Sequence, residues 1–125
     1  MDRIDLRVHV DPVGRVDMAR VELGETSAEI RARVIAARAI AEKRFAGLGY
    51  SLNSQIPARS LRTVFQPERA AMNFLHDELE REHITARGLH KIARVSWTLA
   101  DLHAHAIPTL ADVRQAHSMR GGIEI

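Results

Sequence analysis

The chain has 125 residues, the size of one domain, and its 46% hydrophobic content is typical of a globular protein rather than a disordered one. It contains no cysteine, which excludes disulfide scaffolds, thiolate metal sites and cysteine nucleophiles. No apolar run reaches the ~18 residues that a membrane span needs, and residues 1–5 do not form a signal peptide, so we expect a cytoplasmic protein with no membrane partner. All but two of the 18 basic residues are arginine, yet the net charge is only +2 and does not by itself argue for nucleic acid binding.

The first predicted element is a β-strand. Residues 4–10 alternate apolar and polar side chains, and the turn-forming residues 11–14 end the pattern. The sequence shows no second strand to pair with it, and a lone strand cannot satisfy its own backbone groups. We therefore expect a fragment that begins just before the last strand of a larger α/β domain; the alternative is a small hairpin with residues 15–23.

A helix is predicted from residue 26 to about Phe45. Thr26 and Glu29 have the spacing of a capping box, and Gly47 and Gly49 follow the last turn. Its apolar residues fall on one face at helical spacing: Ile30, Val34, Ala37 and Ala41.

After a loop over residues 50–55, we predict a short helix over 58–65 and another that begins at Pro67. The face of this second helix that we expect to be buried carries Ala71, Phe74, Leu75 and Leu79. The side chains that we expect to be exposed are Glu68, Asp77, Glu80 and Arg81.

Two further helices complete the prediction. Thr85 caps the first, whose inward residues are Leu89, Ile92, Ser96, Leu99 and Leu102. Thr109 and Asp112 form a second capping box at the start of the last helix, which directs Leu110, Val113 and Ala116 inward and ends at residues 121–122. The expected fold class is all-α, a bundle of four to five helices with a short N-terminal strand.

Seven histidines raise the question of a metal site. His76, His83 and His90 recur every seven residues, but a new helix begins at residue 85, so one helical face cannot hold all three. His103 and His105 could pair on a strand but not readily on a helix. Because zinc or nickel needs three or four convergent ligands, we expect solvated or capping histidines and no metal site.

The common catalytic motifs are absent. The sequence contains no G-x-x-x-x-G-K-[ST], no H-E-x-x-H and no G-x-S-x-G. Such a chain is not expected to bind and hydrolyse a nucleotide by itself in the manner of P-loop proteins.

The order of motifs resembles the magnesium-chelatase-like AAA+ ATPases, specifically their YifB/ComM branch. Residues 2–6 (DRIDL) resemble the start of the last core strand in that branch, and residues 24–38 resemble its G-E-S-S-x-x-I-R-x-R-V-x-x-A-R. Asn53 matches an asparagine of the family, and residues 84–102 resemble L-S-x-R…V-A-R-T-I-A-D-L. The pattern departs from the family at Ser96–Trp97, at Gln55–Ile56 and at Met119, which replaces a tyrosine.

This resemblance implies a division of the chain and a role for it. Residues 1–23 would be the end of the AAA+ core and a linker, 24–120 a helical C-terminal domain or lid, and 121–125 a tail. The lid would close over ATP and magnesium bound by a P-loop core of the same polypeptide, in a homo-hexamer that remodels DNA, as in competence. No activity and no cofactor are expected of the isolated fragment.

The resemblance also assigns expected roles to three arginines. Arg87 matches a sensor 2 position, from which a lid arginine contacts the ATP phosphates. Near the N-terminus of a helix the macrodipole disfavours a cation by ~0.3–1 kcal/mol, and a bound phosphate would reverse that sign. Arg94 is a weaker candidate for ATP binding, and Arg3 resembles a catalytic arginine finger presented to the next subunit.

Each role has a structural alternative. Arg87 could instead bond a neighbouring loop, Arg3 could pair with Asp2 or Asp5, and the stem of Arg94 could pack on Trp97.

A different class of function also remains open. Arg31, Arg33 and Arg38 are expected to form a solvated face bonded to Glu29 and Glu42, but they could contact DNA. The alternative to the lid is therefore a free-standing, arginine-rich helical module that binds DNA.

Overall fold

The computed structural model describes residues 5–9, 26–121 and 123–124. The elements follow in the order β1 (Val8–His9), α1 (Ser27–Arg44), a 3₁₀ turn (Asn53–Gln55), α2 (Ala58–Leu61), α3 (Arg69–Glu80), α4 (Ala86–Leu102), α5 (Leu110–Gly121) and β2 (Ile123–Glu124). Helices dominate the described residues, which confirms the all-α prediction. None of these helices is long and apolar enough to span a membrane.

Helix α4 is the centre of the bundle and packs against each of the other helices. One side of α4 contributes Ala93 and Trp97 to a cluster with residues from α1, α2 and the loops that follow these two helices: Ala41, Phe45, Ile56, Leu61 and Phe65. Its other side contributes to a second cluster with α3 and α5, whose buried residues are Ala71, Leu75, Leu89, Ile92, Leu99, Val113 and Ala116. The hydrophobic core is therefore divided in two by one helix.

Side-chain caps start the helices where the sequence predicts them. Thr26 and Glu29 form both hydrogen bonds of the capping box that starts α1. The hydroxyl of Thr85 accepts from the N–H of Gly88 at 3.0 Å. Such caps each contribute on the order of 1 kcal/mol because they satisfy N–H groups that the helix cannot pair internally.

The α3 region differs from the prediction. Helix α3 begins at Arg69 rather than at Pro67, which is itself buried one residue before the N-cap. Glu68 was expected to be exposed but is half-buried, because its carboxylate accepts from the N–H of Leu110 at 2.7 Å and so caps α5. Helix α2 ends at Leu61, four residues earlier than expected.

The apolar face predicted for α1 is mostly exposed. Only Ala37 and Ala41 are buried, whereas Ile30 and Val34 face solvent. At the far end of α4, Leu102 is also exposed instead of buried. These are errors about packing and not about secondary structure, since helical periodicity defines a face but not what covers it.

The N-terminal strand has a partner, contrary to the prediction. Strand β1 runs parallel to β2, with Val8 opposite Ile123 and His9 opposite Glu124. The N–H of Arg7 extends the contact by donating to the carbonyl of Met119 at 2.6 Å. The C-terminal residues were too few to predict a strand. The alternative, a hairpin with residues 15–23, lies outside the described residues.

Candidate functional site

Three positively charged side chains lie along helix α4. Arg87, Lys91 and Arg94 are separated by four and three residues, which places them on one face over two turns. We call these three residues the basic face. Arg87 and Arg94 are the two residues that the sequence predicts to contact ATP. Lys91 was missed, although its spacing from both arginines is the signal that could have found it.

Arg87 begins the basic face in the first turn of α4. Its side chain is exposed, and within the described residues no hydrogen bond or ion pair holds it. The structural alternative, in which Arg87 bonds a neighbouring loop, is therefore not observed among the described residues. Arg120 reaches the same turn from the end of α5, with its guanidinium close to the space that a Cβ on Gly88 would occupy. A second arginine thus lies near the start of α4.

Lys91 already binds a carboxylate. Its Nζ lies 2.9 Å from Oδ1 of Asp5, which precedes β1, and the lysine side chain is only 14% exposed. The Asp5 side chain is 53% exposed, so solvent screens the pair, and its expected contribution is that of a surface salt bridge, ~0–1 kcal/mol. The pair shows that an anionic oxygen fits against the middle of the basic face.

Arg94 is held by a backbone contact. Its Nε donates to the carbonyl of Ile56 at 2.8 Å, which fixes the guanidinium beside the loop before α2. The guanidinium over the Trp97 indole is that of Arg44, 4.3 Å from the ring centroid. The packing of the Arg94 stem on Trp97 stays a prediction.

Two residues of the basic face, Lys91 and Arg94, line a shallow cleft, whereas Arg87 is not part of its lining. The cleft has a volume of about 190 Å³, and Asp5, Ser54 and Thr98 complete a lining that also includes Lys91, Arg94 and Val95.

Positive charge nearby also affects His90, one residue before Lys91. Burial first, and then Arg94 and Arg62, lower the pKa of His90 below its ordinary value.

Arg3, the expected arginine finger, lies outside the described residues. Its role stays a prediction.

Asn53, which the family resemblance singles out, is part of a partly buried polar network around Asp101. Arg44 donates to both carboxylate oxygens of Asp101 and to the side-chain oxygen of Asn53. The amide of Asn53 donates in turn to Asp101 at 3.0 Å and to Thr98 at 3.2 Å. The network ties the end of α1 and the 3₁₀ turn to α4, so Asn53 has a structural role that the sequence did not reveal.

Two of the histidines meet a buried carboxylate. His103 Nδ1 and His105 Nδ1 lie 2.9 and 2.8 Å from the two oxygens of Asp112, which also accepts from the N–H of Thr109. Burial is the largest influence on Asp112 and opposes ionisation, but the hydrogen bonds from Thr109 and the two histidines outweigh it and lower its pKa. The sequence considered the two histidines as a pair but missed Asp112, whose only visible role was in the capping box.

The arginines of α1 are on its surface. Arg31, Arg33 and Arg38 are all exposed, as expected for a solvated face. Glu29, one of their expected partners, is used by the capping box with Thr26.

Comparisons with known proteins identify the family of the chain. The family described as "Magnesium chelatase, subunit ChlI C-terminal" matches residues 24–120. An uncharacterised protein of Mycobacterium tuberculosis (strain H37Rv) and one of Mycobacterium bovis are each 35% identical over 120 residues, or 96% of this chain and 24% of theirs. Competence protein ComM of Haemophilus influenzae is 31% identical over 103 residues, or 82% of this chain and 19% of its own length.

The chain therefore spans about a quarter or less of the length of these curated relatives. No solved structure matches it. Since the family match covers most of the chain and all helices described above, this protein belongs to the family of magnesium chelatase ChlI C-terminal domains.

Proposed function

We propose that this domain is the lid of a magnesium-chelatase-like ATPase, and that its basic face contacts the phosphates of ATP held by a P-loop core of the same polypeptide. The observation that carries the proposal is the alignment of Arg87, Lys91 and Arg94 along one face of α4. The domain contributes binding and charge neutralisation, while ATP with its magnesium ion supplies the phosphoanhydride chemistry.

The basic face fits a polyphosphate in charge and in preorganisation. Arginine presents a planar fork that suits phosphate oxygens, and lysine adds a compact charge between the two forks. Lys91 accommodates the carboxylate of Asp5, so a negatively charged oxygen is compatible with the site. Arg94 is oriented by Ile56 before any ligand arrives, which lowers the entropy lost on binding.

The wider assembly follows from the family and is part of the proposal. We propose that the intact protein forms a hexamer in which Arg3 reaches the ATP of the next subunit. We propose DNA as the remodelled substrate, because the resemblance is to the YifB/ComM branch and a competence protein is among the relatives. Since the chain lacks a P-loop motif, the isolated domain should not hydrolyse ATP.

ATP hydrolysis by the intact protein tests the assignment. Arg87→Ala and Arg3→Ala should each lower turnover at least tenfold, and Lys91→Ala and Arg94→Ala should raise the KM for ATP. Arg31→Ala removes an equally exposed arginine from α1 and should leave turnover unchanged. Unchanged turnover in both the Arg87 and the Arg3 variants would refute the assignment.

The alternative function is a DNA-binding module, favoured by the exposed arginines of α1. Binding through phosphate contacts releases counterions, so affinity would fall steeply as salt is raised. Fluorescence anisotropy of labelled duplex DNA with the isolated domain decides the matter: no binding at low salt eliminates this alternative.

A further inference from the structure

A second candidate site lies at the opposite end of α4 from Arg87. It comprises His103, His105 and Asp112, one ligand atom of each lying within 4.8 Å of the others. Within the part of the chain that the structure describes, these are the only histidine and carboxylate side chains that converge in this way. The site shares no residue with the basic face.

The backbone brings the two histidines together. Helix α4 ends at Leu102, and His103 is its C-cap. Ala104 has a φ of +59°, in the left-handed region that a residue with a Cβ seldom adopts. His103 and His105 flank this left-handed residue, and both imidazoles contact the same carboxylate, that of Asp112.

Asp112 supplies a fixed anionic ligand. Its side chain is only 1% exposed, and the N–H of Thr109 orients one of its oxygens at 3.0 Å. The two imidazoles are much more open, at 46% and 39% exposed. An ion could therefore approach from solvent, bind the three protein atoms and keep a water molecule on its open side.

We propose that His103 Nδ1, His105 Nδ1 and a carboxylate oxygen of Asp112 bind one zinc ion. Two imidazole nitrogens and one carboxylate oxygen form a donor set that zinc accepts, with water as fourth ligand. Zinc bonds of about 2.0–2.1 Å put tetrahedral ligands roughly 3.3 Å apart. The two imidazoles contact different oxygens of Asp112, at 2.9 and 2.8 Å. The contact to the oxygen that binds zinc would open by about half an ångström, and the other imidazole would shift to bring its Nδ1 to the same ion.

Bound zinc would join the end of α4 to the start of α5. Since the site lies about 24 Å from Arg87 along the helix, at a rise of ~1.5 Å per residue, the effect expected is on stability and not on phosphate binding. Failure of the zinc proposal would leave the proposed lid function intact, and failure of the lid function would leave the zinc proposal intact.

Isothermal titration of the untagged chain with zinc chloride tests the proposal. We expect one zinc ion per chain and a Tm that rises by several degrees in saturating zinc. Because both histidines are partly exposed, His103→Ala/His105→Ala should fold normally, which circular dichroism checks, and should lower zinc affinity at least tenfold. Arg87→Ala should bind zinc as the unaltered chain does.

A matched control exists elsewhere in the chain. His83 and His117 also approach one carboxylate, that of Glu78, at 2.9 and 3.5 Å, but this group does not converge closely enough to bind a metal ion. His83→Ala/His117→Ala should retain zinc binding. The proposal is overturned if the unaltered chain takes up no zinc, if the His103/His105 variant binds it equally well, or if the control variant is the one that loses it.

Discussion

Helices α1 and α4 are almost equal in length, at 18 and 17 residues, but they differ in what they bury. Helix α4 buries nine residues and contributes to both hydrophobic clusters. Helix α1 buries two alanines and exposes four large apolar side chains: Ile30, Val34, Ile35 and Ile40. Helix α1 is therefore anchored to the domain through its C-terminal half, while α4 is anchored along its whole length.

The difference shows which interactions hold the domain together. Where α1 does meet α4, the contact combines Phe45 and Ala41 with the buried ion pair between Arg44 and Asp101. Toward its N-terminus, local terms such as the Thr26 capping box replace tertiary packing. The largest mutational effects should therefore come from α4 and from the last turn of α1.

The largest effect is expected from Arg44→Ala. Asp101 would be left as a buried carboxylate without its cationic partner, and breaking a buried pair in this way costs about 3–5 kcal/mol. Urea unfolding followed by circular dichroism measures the loss. Lys43→Ala removes the exposed neighbouring cation and should change the free energy of unfolding by less than about 0.5 kcal/mol. Equal stability of the two variants would show that the network does not join α1 to α4.

An intermediate effect is expected from Ile92→Ala in α4, set against the same change at Ile35 in α1. Ile92 is fully buried and its truncation should cost about 2–5 kcal/mol, because a cavity is left between α3, α4 and α5. Ile35 is 56% exposed, so Ile35→Ala should stay within about 0.5 kcal/mol of the unaltered chain. The same urea titration compares them. A large loss at Ile35 would mean that α1 is packed more extensively than its exposure indicates.

The smallest effect concerns the pH dependence that α4 contributes through His90. Its pKa is lower in the folded protein than in the unfolded chain, so the unfolded chain takes up a proton more readily. The contribution of His90 to the free energy of unfolding is fully present above the unfolded pKa of about 6.5, and it is lost as the pH falls below that value. We expect His90→Gln to lose less stability than the unaltered chain between about pH 7.5 and about pH 5.5. Thermal unfolding at the two pH values measures this, and parallel losses would contradict the effect.

Local chemistry made much of the helical fold predictable. The caps at Thr26, Thr85 and Thr109 depend only on residues within one turn, and all three start helices as expected. What the sequence could not show depends on distant partners. Glu68 caps a helix that begins 42 residues later, and β1 pairs with a segment at the other end of the chain.

The same distinction applies to the candidate sites. Arg87 and Arg94 were found through a family resemblance, and Lys91 was recoverable from helical spacing. Asp112 was hidden because its contact with His103 and His105 requires the left-handed turn at Ala104, and no periodicity indicates an alanine in that conformation. The link between Asn53 and Arg44 likewise depends on how the loop after α1 returns to α4.

The pairing of β1 with β2 has a consequence for the order in which the domain assembles. Val8 and Ile123 are separated by roughly 115 positions, so their contact closes nearly the whole chain into a loop and is entropically costly to form early. Contacts such as those between α4 and α5 span far fewer residues and can form first. The two-residue strand pair should then be the last contact to close and the first to open, and its opening would release the segment that carries Asp5, the partner of Lys91.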